Sequence, residues 1–179
     1  GYIQGLDLRS QGSGNAGATN ALRILGTRSG IFVFLGDALK GYIALYLCES
    51  ILAQAGFLLF SPSDYLFLSL IFALIGHCYP IWFNFSGGKG AATALGAFLF
   101  IDAYFILFPI IGFLIIFLIS RFVGLSTISA FLILFLQTFF IDHGIHHNFH
   151  FFSLLIFIFI LYTHRSNIES MYKGTETKL

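Results

Sequence analysis

The sequence predicts an all-α integral membrane protein: a helical bundle with six transmembrane helices in this chain. Hydrophobic residues make up 58% of its 179 residues and charged residues 9%, with mean hydropathy +0.90, so too few polar groups exist to cover a water-soluble globule. The apolar residues fall into runs of spanning or near-spanning length, parted by short polar breaks. A hydrocarbon core roughly 30 Å thick asks about 20 residues of each helix, which leaves room for about six crossings and little else.

The runs are residues 29–49, 65–81, 91–101, 104–120, 124–141 and 150–163, each expected to be helical because backbone groups in lipid must bond internally. The third and last are short, and Pro109 is expected to kink the fourth. One membrane domain over residues 1–179 is expected, with no internal repeat. The chain opens Gly-Tyr-Ile-Gln without a starting methionine or a signal peptide, from which a preceding N-terminal piece is expected.

Following the chain through six crossings places segments 1–28, 82–90, 121–124 and 164–179 on one side. Of the nine Lys and Arg residues, eight (Arg9, Arg23, Arg28, Lys89, Arg121, Arg165, Lys173 and Lys178) fall there, and Lys40 lies within a span. That side is read as cytoplasmic. The net charge of +1, with no basic patch, argues against a nucleic-acid partner. Cys48 and Cys78 fall at opposite ends of neighbouring predicted spans, too far apart for a disulfide, and are assigned to packing.

Three segments on the cationic side carry chemistry. The first, "GSGNAGATNALR" (residues 12–23), combines small residues that free backbone N–H groups for an anion with polar groups from Ser13, Asn15, Thr19 and Asn20 and the forked cation of Arg23. The plainer reading is a flexible loop flanking the membrane. In the second, Gly87, Gly88, Lys89 and Gly90 precede a helix whose N-terminus would point unpaired N–H groups at a phosphate, and Thr93 can donate from its first turn. It is not a Walker loop, because Phe83 and Gly90 stand where that pattern needs Gly and then Ser or Thr. The plainer reading is a tight turn with one snorkelling lysine. Just upstream, His77 is either an active-site group or an interfacial residue.

The third segment, "HRSNIESMYKGTE" (residues 164–176), leaves the last span directly. His164 and Asn167 share a face if the helix continues, His suiting proton transfer near neutral pH and Asn orienting a hydroxyl or carbonyl. Asp37 and Lys40 lie three apart inside the first span, where lone charges are expensive, and are read as a structural pair.

Together these segments resemble the PlsY family of bacterial glycerol-3-phosphate acyltransferases along essentially the whole chain: "GSGNAGATNALR" is similar to its first motif, "GHCYPIWFNFSGGKGAAT" to its second and "HRSNIESMYKGTE" to its third. The resemblance implies a seven-helix bundle whose first helix would precede Gly1. It implies transfer of an acyl group from acyl phosphate to the 1-hydroxyl of glycerol 3-phosphate, giving 1-acylglycerol 3-phosphate (lysophosphatidic acid) and phosphate, the first step of phospholipid synthesis. No cofactor, metal ion or acyl-CoA is implied. A functional link to an acyl-ACP:phosphate acyltransferase is implied, as is a multi-pass place in the bacterial plasma (inner) membrane with the active site facing the cytoplasm.

Carried over by position, Ser13, Arg23, Lys89, His164 and Asn167 would contact glycerol 3-phosphate or the reacting centre, Gly87, Gly88 and Gly90 would cradle the donor phosphate, and Glu176 would brace the site. Ser86 and Ser170 stand where the family often carries cations, which predicts weaker phosphate affinity. A mixed anhydride is already activated, so positioning and charge neutralisation should dominate. The hydroxyl proton has three candidate acceptors: His164, Ser13 as a relay, or the departing phosphate.

Two rivals carry less. "DHGIHHNFH" (residues 142–150) places His143, His146, His147 and His150 in a pattern similar to one histidine box of membrane di-iron desaturases. Those enzymes need several boxes on the cytoplasmic side, whereas this chain has six histidines and this group falls outside. A small transporter would rest on Asp37 and Lys40 within a span and would keep its flux without His164.

Overall fold

The computed structural model describes residues 5–55, 59, 61–140 and 148–179. Among the described residues the regular elements are helices: α1 (Ala18–Leu25), α2 (Thr27–Leu52), α3 (Pro62–Cys78), α4 (Ala91–Ile101), α5 (Leu107–Ser120), α6 (Val123–Gln137), α7 (Phe149–Thr163) and α8 (Arg165–Tyr172), with single 3-10 turns at Leu8–Ser10, Ile81–Phe83 and Ala103–Ile106. The all-α membrane class is as expected. Three stretches, Thr27–Leu52, Pro62–Phe83 and Ala103–Ser120, are long and apolar enough to cross a bilayer, and the bent pair α7–α8 makes a fourth. The apolar helices α4 and α6 are shorter than that length, so length and composition alone support fewer crossings than the six expected.

Local chemistry explains the helix ends. The Ser61 hydroxyl accepts from Asp64 N at 3.2 Å and Pro62 opens α3, a hydroxyl cap and a ring-fixed first residue. Pro109, where a kink is expected, sits in the first turn of α5, just after the 3-10 turn at Ala103–Ile106, and the Phe105 carbonyl four residues before it accepts from Gln137 Nε2 at 2.7 Å. A proline has no N–H to offer that carbonyl, and a neighbouring helix supplies the donor in its place.

Small residues set the packing. At Gly41 of α2 a Cβ would run into the carbonyl of Thr93, and at Gly96 of α4 into the carbonyl of Ala38. The two backbones therefore touch, as membrane helices do where glycine permits. A Cβ at Gly112 of α5 would likewise overlap Ile133 of α6. Behind these contacts Phe67 stacks on Phe152 with ring centroids 4.9 Å apart, and Phe105 packs on Phe149 at 4.4 Å. Outward, Phe32 and Ile119 are 75% and 77% exposed, which suits lipid-facing helices that are apolar all round. Both cysteines are free.

Candidate active site

The first glycine-rich segment folds around one side chain. Asn20 is 2% exposed, and its amide nitrogen lies 2.9, 3.0 and 2.9 Å from the carbonyls of Leu8, Gln11 and Asn15, while its oxygen accepts from Ser13 N at 3.1 Å. Gly12 has φ +60 and its missing Cβ leaves room for that amide. Only glycine takes this backbone without strain, and only glycine leaves the space. Asn15 closes its own turn by accepting from Gly17 N at 2.8 Å, and its amide nitrogen donates to Gly87 O at 3.3 Å. The first loop is thus tied to the second.

The second loop is pinned from three directions. Gly87 N donates to Cys78 O at 3.1 Å and Gly88 N to His77 O at 3.2 Å, which satisfies carbonyls at the end of α3. Thr163 at the end of α7 donates its hydroxyl to Lys89 O at 2.9 Å. Gly90, at φ +86, then caps α4, whose first backbone bond runs from Ala94 N to Gly90 O. The N–H groups preceding Ala94 have no acceptor within the helix, and Gly90, Ala91 and Ala92 line the adjoining cavity.

The third segment does not continue the last span straight. The chain bends by 53° at His164 between α7 and α8. The Thr163 hydroxyl bonds Ile160 O at 3.1 Å as well as Lys89 O, and His164 Nδ1 lies 2.9 Å from Ile160 O, competition for helix carbonyls of the kind that bends helices. The bend still brings the expected residues together. Lys89 Nζ donates to Asn167 Oδ1, and Asn167 Nδ2 donates to Glu176 Oε1 at 2.8 Å. Arg23 Nη2 donates to Thr177 O at 2.7 Å, and Leu179 N to Arg121 O at 3.1 Å, so the last residues lie across the same region.

These groups share a cavity of about 1100 Å³ whose lining runs from Ser13, Arg23, Lys89, His164 and Asn167 to the apolar side chains of Phe98, Phe131 and Leu134. Among the described residues the acid–base pairs within reach are Asp7–Arg9, Asp37–Lys40, Asp37–His77 and Glu169–Lys173. Arg23 and Lys89 belong to none of them, and Arg23 Nε is buried without a partner among the described residues. Burial pushes the Lys89 pKa below the usual lysine value; Glu176 opposes the fall, and Arg23 and Arg165 add to it. His164, one residue beyond α7, is held down to about 4 by burial. It is therefore neutral at pH 7, and with the proton on the Nδ1 that faces Ile160 O, Nε2 is left as an acceptor.

A polar pocket whose cations have no acidic ion-pair partner among the described residues, opening into an apolar one, suits a substrate with a phosphate head and a fatty tail. The family model described as Glycerol-3-phosphate acyltransferase matches residues 1–174. The chain belongs to that family. Its relatives among glycerol-3-phosphate acyltransferases include that of Aquifex aeolicus (strain VF5), 40% identical over 97% of this chain and 86% of the relative. That of Fusobacterium nucleatum subsp. nucleatum is 36% identical over 98% and 86%. Two crystal structures of PlsY, described as an integral membrane glycerol 3-phosphate acyltransferase, share the fold. The glycerol 3-phosphate form has a TM-score of 0.86 at 38% identity, covering 99% of this chain and 84% of the other. The lysophosphatidic acid form has a TM-score of 0.82 at 37% identity, with the same coverage.

For this glycerol-3-phosphate acyltransferase, the structure gathers Ser13, Asn15, Arg23, Lys89, Gly90, His164, Asn167 and Glu176 around one cavity. It does not bring every expected residue there. Gly87 and Gly88, expected in the cradle, lie outside the cavity's lining, and their N–H groups donate to carbonyls at the end of α3. Thr93 is fully buried, its hydroxyl without a partner among the described residues, and its carbonyl packs on Gly41. It does not line the cavity. Asp37 and Lys40 form an ion pair at 2.7 Å, with His77 Nδ1 at 3.6 Å from Asp37 Oδ1 and 3.3 Å from Lys40 Nζ.

Sequence reasoning counted Asn20 among the polar groups of the first loop but missed it as the hub; an amide at the foot of a glycine-rich loop was the available signal. His143, His146 and His147 lie outside the described residues, while His150 bonds Thr138 Oγ1 at 2.8 Å and stacks on Phe139. Among the described residues no three His, Cys, Asp or Glu side chains converge as a metal site would require.

Proposed function

We propose that this glycerol-3-phosphate acyltransferase takes acyl phosphate as its donor and esterifies the 1-hydroxyl of glycerol 3-phosphate, releasing lysophosphatidic acid and inorganic phosphate as an early step of phospholipid synthesis. The observation that carries this reading is the pair of cations, Arg23 and Lys89, which have no ion-pair partner among the described residues, set beside neutral His164 at the polar end of a cavity that is otherwise apolar. Two phosphates must approach each other during the transfer, and that arrangement offsets their repulsion.

In the proposed reaction Arg23 and Ser13 hold the phosphate of glycerol 3-phosphate, and Lys89 with the N–H groups at the start of α4 holds the donor phosphate. His164 Nε2 accepts from the 1-hydroxyl and aims its oxygen at the acyl carbonyl carbon. The C–O ester bond forms, the bond from the acyl carbon to the phosphate oxygen breaks, and the hydroxyl proton ends on the released phosphate. A histidine held near 4 is the weaker base of the two, which favours orientation by His164 and final proton uptake by phosphate.

The 179 residues would form one transmembrane acyltransferase domain crossing six times in the bacterial inner membrane. Its active site would face the cytoplasm, as the cationic residues indicate, and an acyl-ACP:phosphate acyltransferase would supply the donor. The test is acyl transfer to glycerol 3-phosphate from palmitoyl phosphate or palmitoyl-CoA in detergent, without added metal. Product from acyl phosphate alone supports the donor assignment; product from the CoA ester alone overturns it.

A further inference from the structure

We propose that Phe98, Ile106 and Leu134 form a floor that sets the length of acyl chain this enzyme accepts. The inference rests on the reading that the apolar part of the cavity receives the donor's acyl chain, and it holds for either donor type.

Helix α6 supplies the depth scale. Its cavity-lining positions are Val123, Gly124, Thr127, Ala130, Phe131 and Leu134, one face of a helix with main spacings of three and four. Gly124 lies against Asn167, whose side chain fills the place of its missing Cβ, so this end is level with the reacting centre. Leu134 is ten residues on, about 15 Å deeper at helical rise. Small side chains at Gly124 and Ala130 give way to the bulky Phe131 and Leu134 at the lower end. The upper part leaves room for a chain and the lower part ends it.

That end is closed and braced. Phe98, Ile106 and Leu134 are 1%, 8% and 2% exposed. One turn below Leu134, Gln137 Nε2 donates to Phe105 O at 2.7 Å, which ties α6 to the turn carrying Ile106, and Phe105 packs on Phe149 of α7. The contact of Gly112 with Ile133 closes α5 against α6. Exposed side chains also line the cavity, Ile31 and Phe34 on α2 and Ile110 on α5, and these flanks face lipid. A tail leaving there would never meet the floor.

An extended chain advances about 1.25 Å per C–C bond, so 15 Å corresponds to roughly a dozen carbons beyond the reacting centre. The experiment measures kcat/KM of the full chain in detergent with saturated acyl phosphates from decanoyl to stearoyl, and with the matching CoA esters. The variants are Ala130→Phe, which fills the cavity above the floor, and Leu134→Ala, which deepens it, with Leu134→Val as a milder change should alanine compromise folding. The expected result is an optimum shifted shorter in Ala130→Phe and longer, by roughly two carbons, in Leu134→Ala, with KM for glycerol 3-phosphate unchanged in both. An unchanged profile, or equal loss at every chain length, overturns the floor. Should wild-type protein use the CoA esters alone, the donor assignment fails, and the CoA series still reads the floor.

Discussion

The ammonium of Lys89 donates to the amide oxygen of Asn167, and the amide nitrogen of Asn167 donates to Glu176 at 2.8 Å. A relay from the second loop through α8 to the chain's last residues thus fixes where the positive charge sits. Since Asn167 offers its oxygen to Lys89 and its nitrogen to Glu176, the order of the relay also fixes the orientation of the amide.

If Lys89 neutralises phosphate charge in the transition state, Lys89→Ala lowers kcat/KM at least tenfold, about 1.4 kcal/mol of transition-state stabilisation. Glu176→Gln, which keeps shape and loses charge, costs less. Because the three residues act as a unit, the double variant Asn167→Ala/Glu176→Gln loses less than the sum of its parts. Steady-state kinetics of Lys89→Ala, Glu176→Gln, Asn167→Ala and the double variant checks this, and unchanged activity in Lys89→Ala would remove the role assigned to it.

Burial lowers the Lys89 pKa and Glu176 opposes that fall. The active form carries the proton, so activity is complete below the folded pKa and is lost as pH rises through it. Removing the carboxylate removes the opposing pull. The alkaline limb of kcat/KM therefore moves to lower pH in Glu176→Gln than in wild type. A limb that stays in place, or moves upward, contradicts the assignment.

The apolar helices and the three polar segments that meet at one cavity were legible because composition and period are local properties of the chain. The side chosen by Thr93 was not legible. Its place in the first turn of α4 suits an anion, but α2 and α4 touch where Gly41 meets the Thr93 carbonyl and Gly96 the Ala38 carbonyl, which buries Thr93 away from the cavity, a consequence of packing between helices far apart in sequence. For the same reason the N–H groups of Gly87 and Gly88 looked free. Their acceptors are carbonyls at the end of α3, and nothing in a glycine-rich string says which of its amides is already used.

His164 is held near 4 by burial, whereas a free imidazole titrates near 6.5. In the protein without substrate its ring therefore stays neutral across the range of about pH 5 to 8 in which histidine ordinarily switches. NMR of isotope-labelled histidine in detergent, with His164→Gln to assign the signal, reads this directly. A midpoint near 6.5 would show that the ring is wetter than its place between α7 and α8 implies and would reopen its role as the general base.

The ring of His77 occupies the space that a Cβ on Gly88 would need, while Gly88 N donates to His77 O at 3.2 Å. The loop carrying Lys89 rests on His77, and Asp37 and Lys40 beside the ring hold it in place. Gly88→Ala therefore pushes the loop away from α3 and displaces Lys89 from Asn167, and since misplacement of about 1 Å can cost 10²-fold in rate, a loss of that order is expected. The contact is steric, so trimming its other side relieves it: His77→Ala/Gly88→Ala recovers part of the activity lost in Gly88→Ala alone, a coupling opposite in sign to simple addition. If Gly88 served only through its N–H, alanine would leave that group intact and Gly88→Ala would be nearly silent. A severe single variant with no recovery in the double would place the defect elsewhere in the loop.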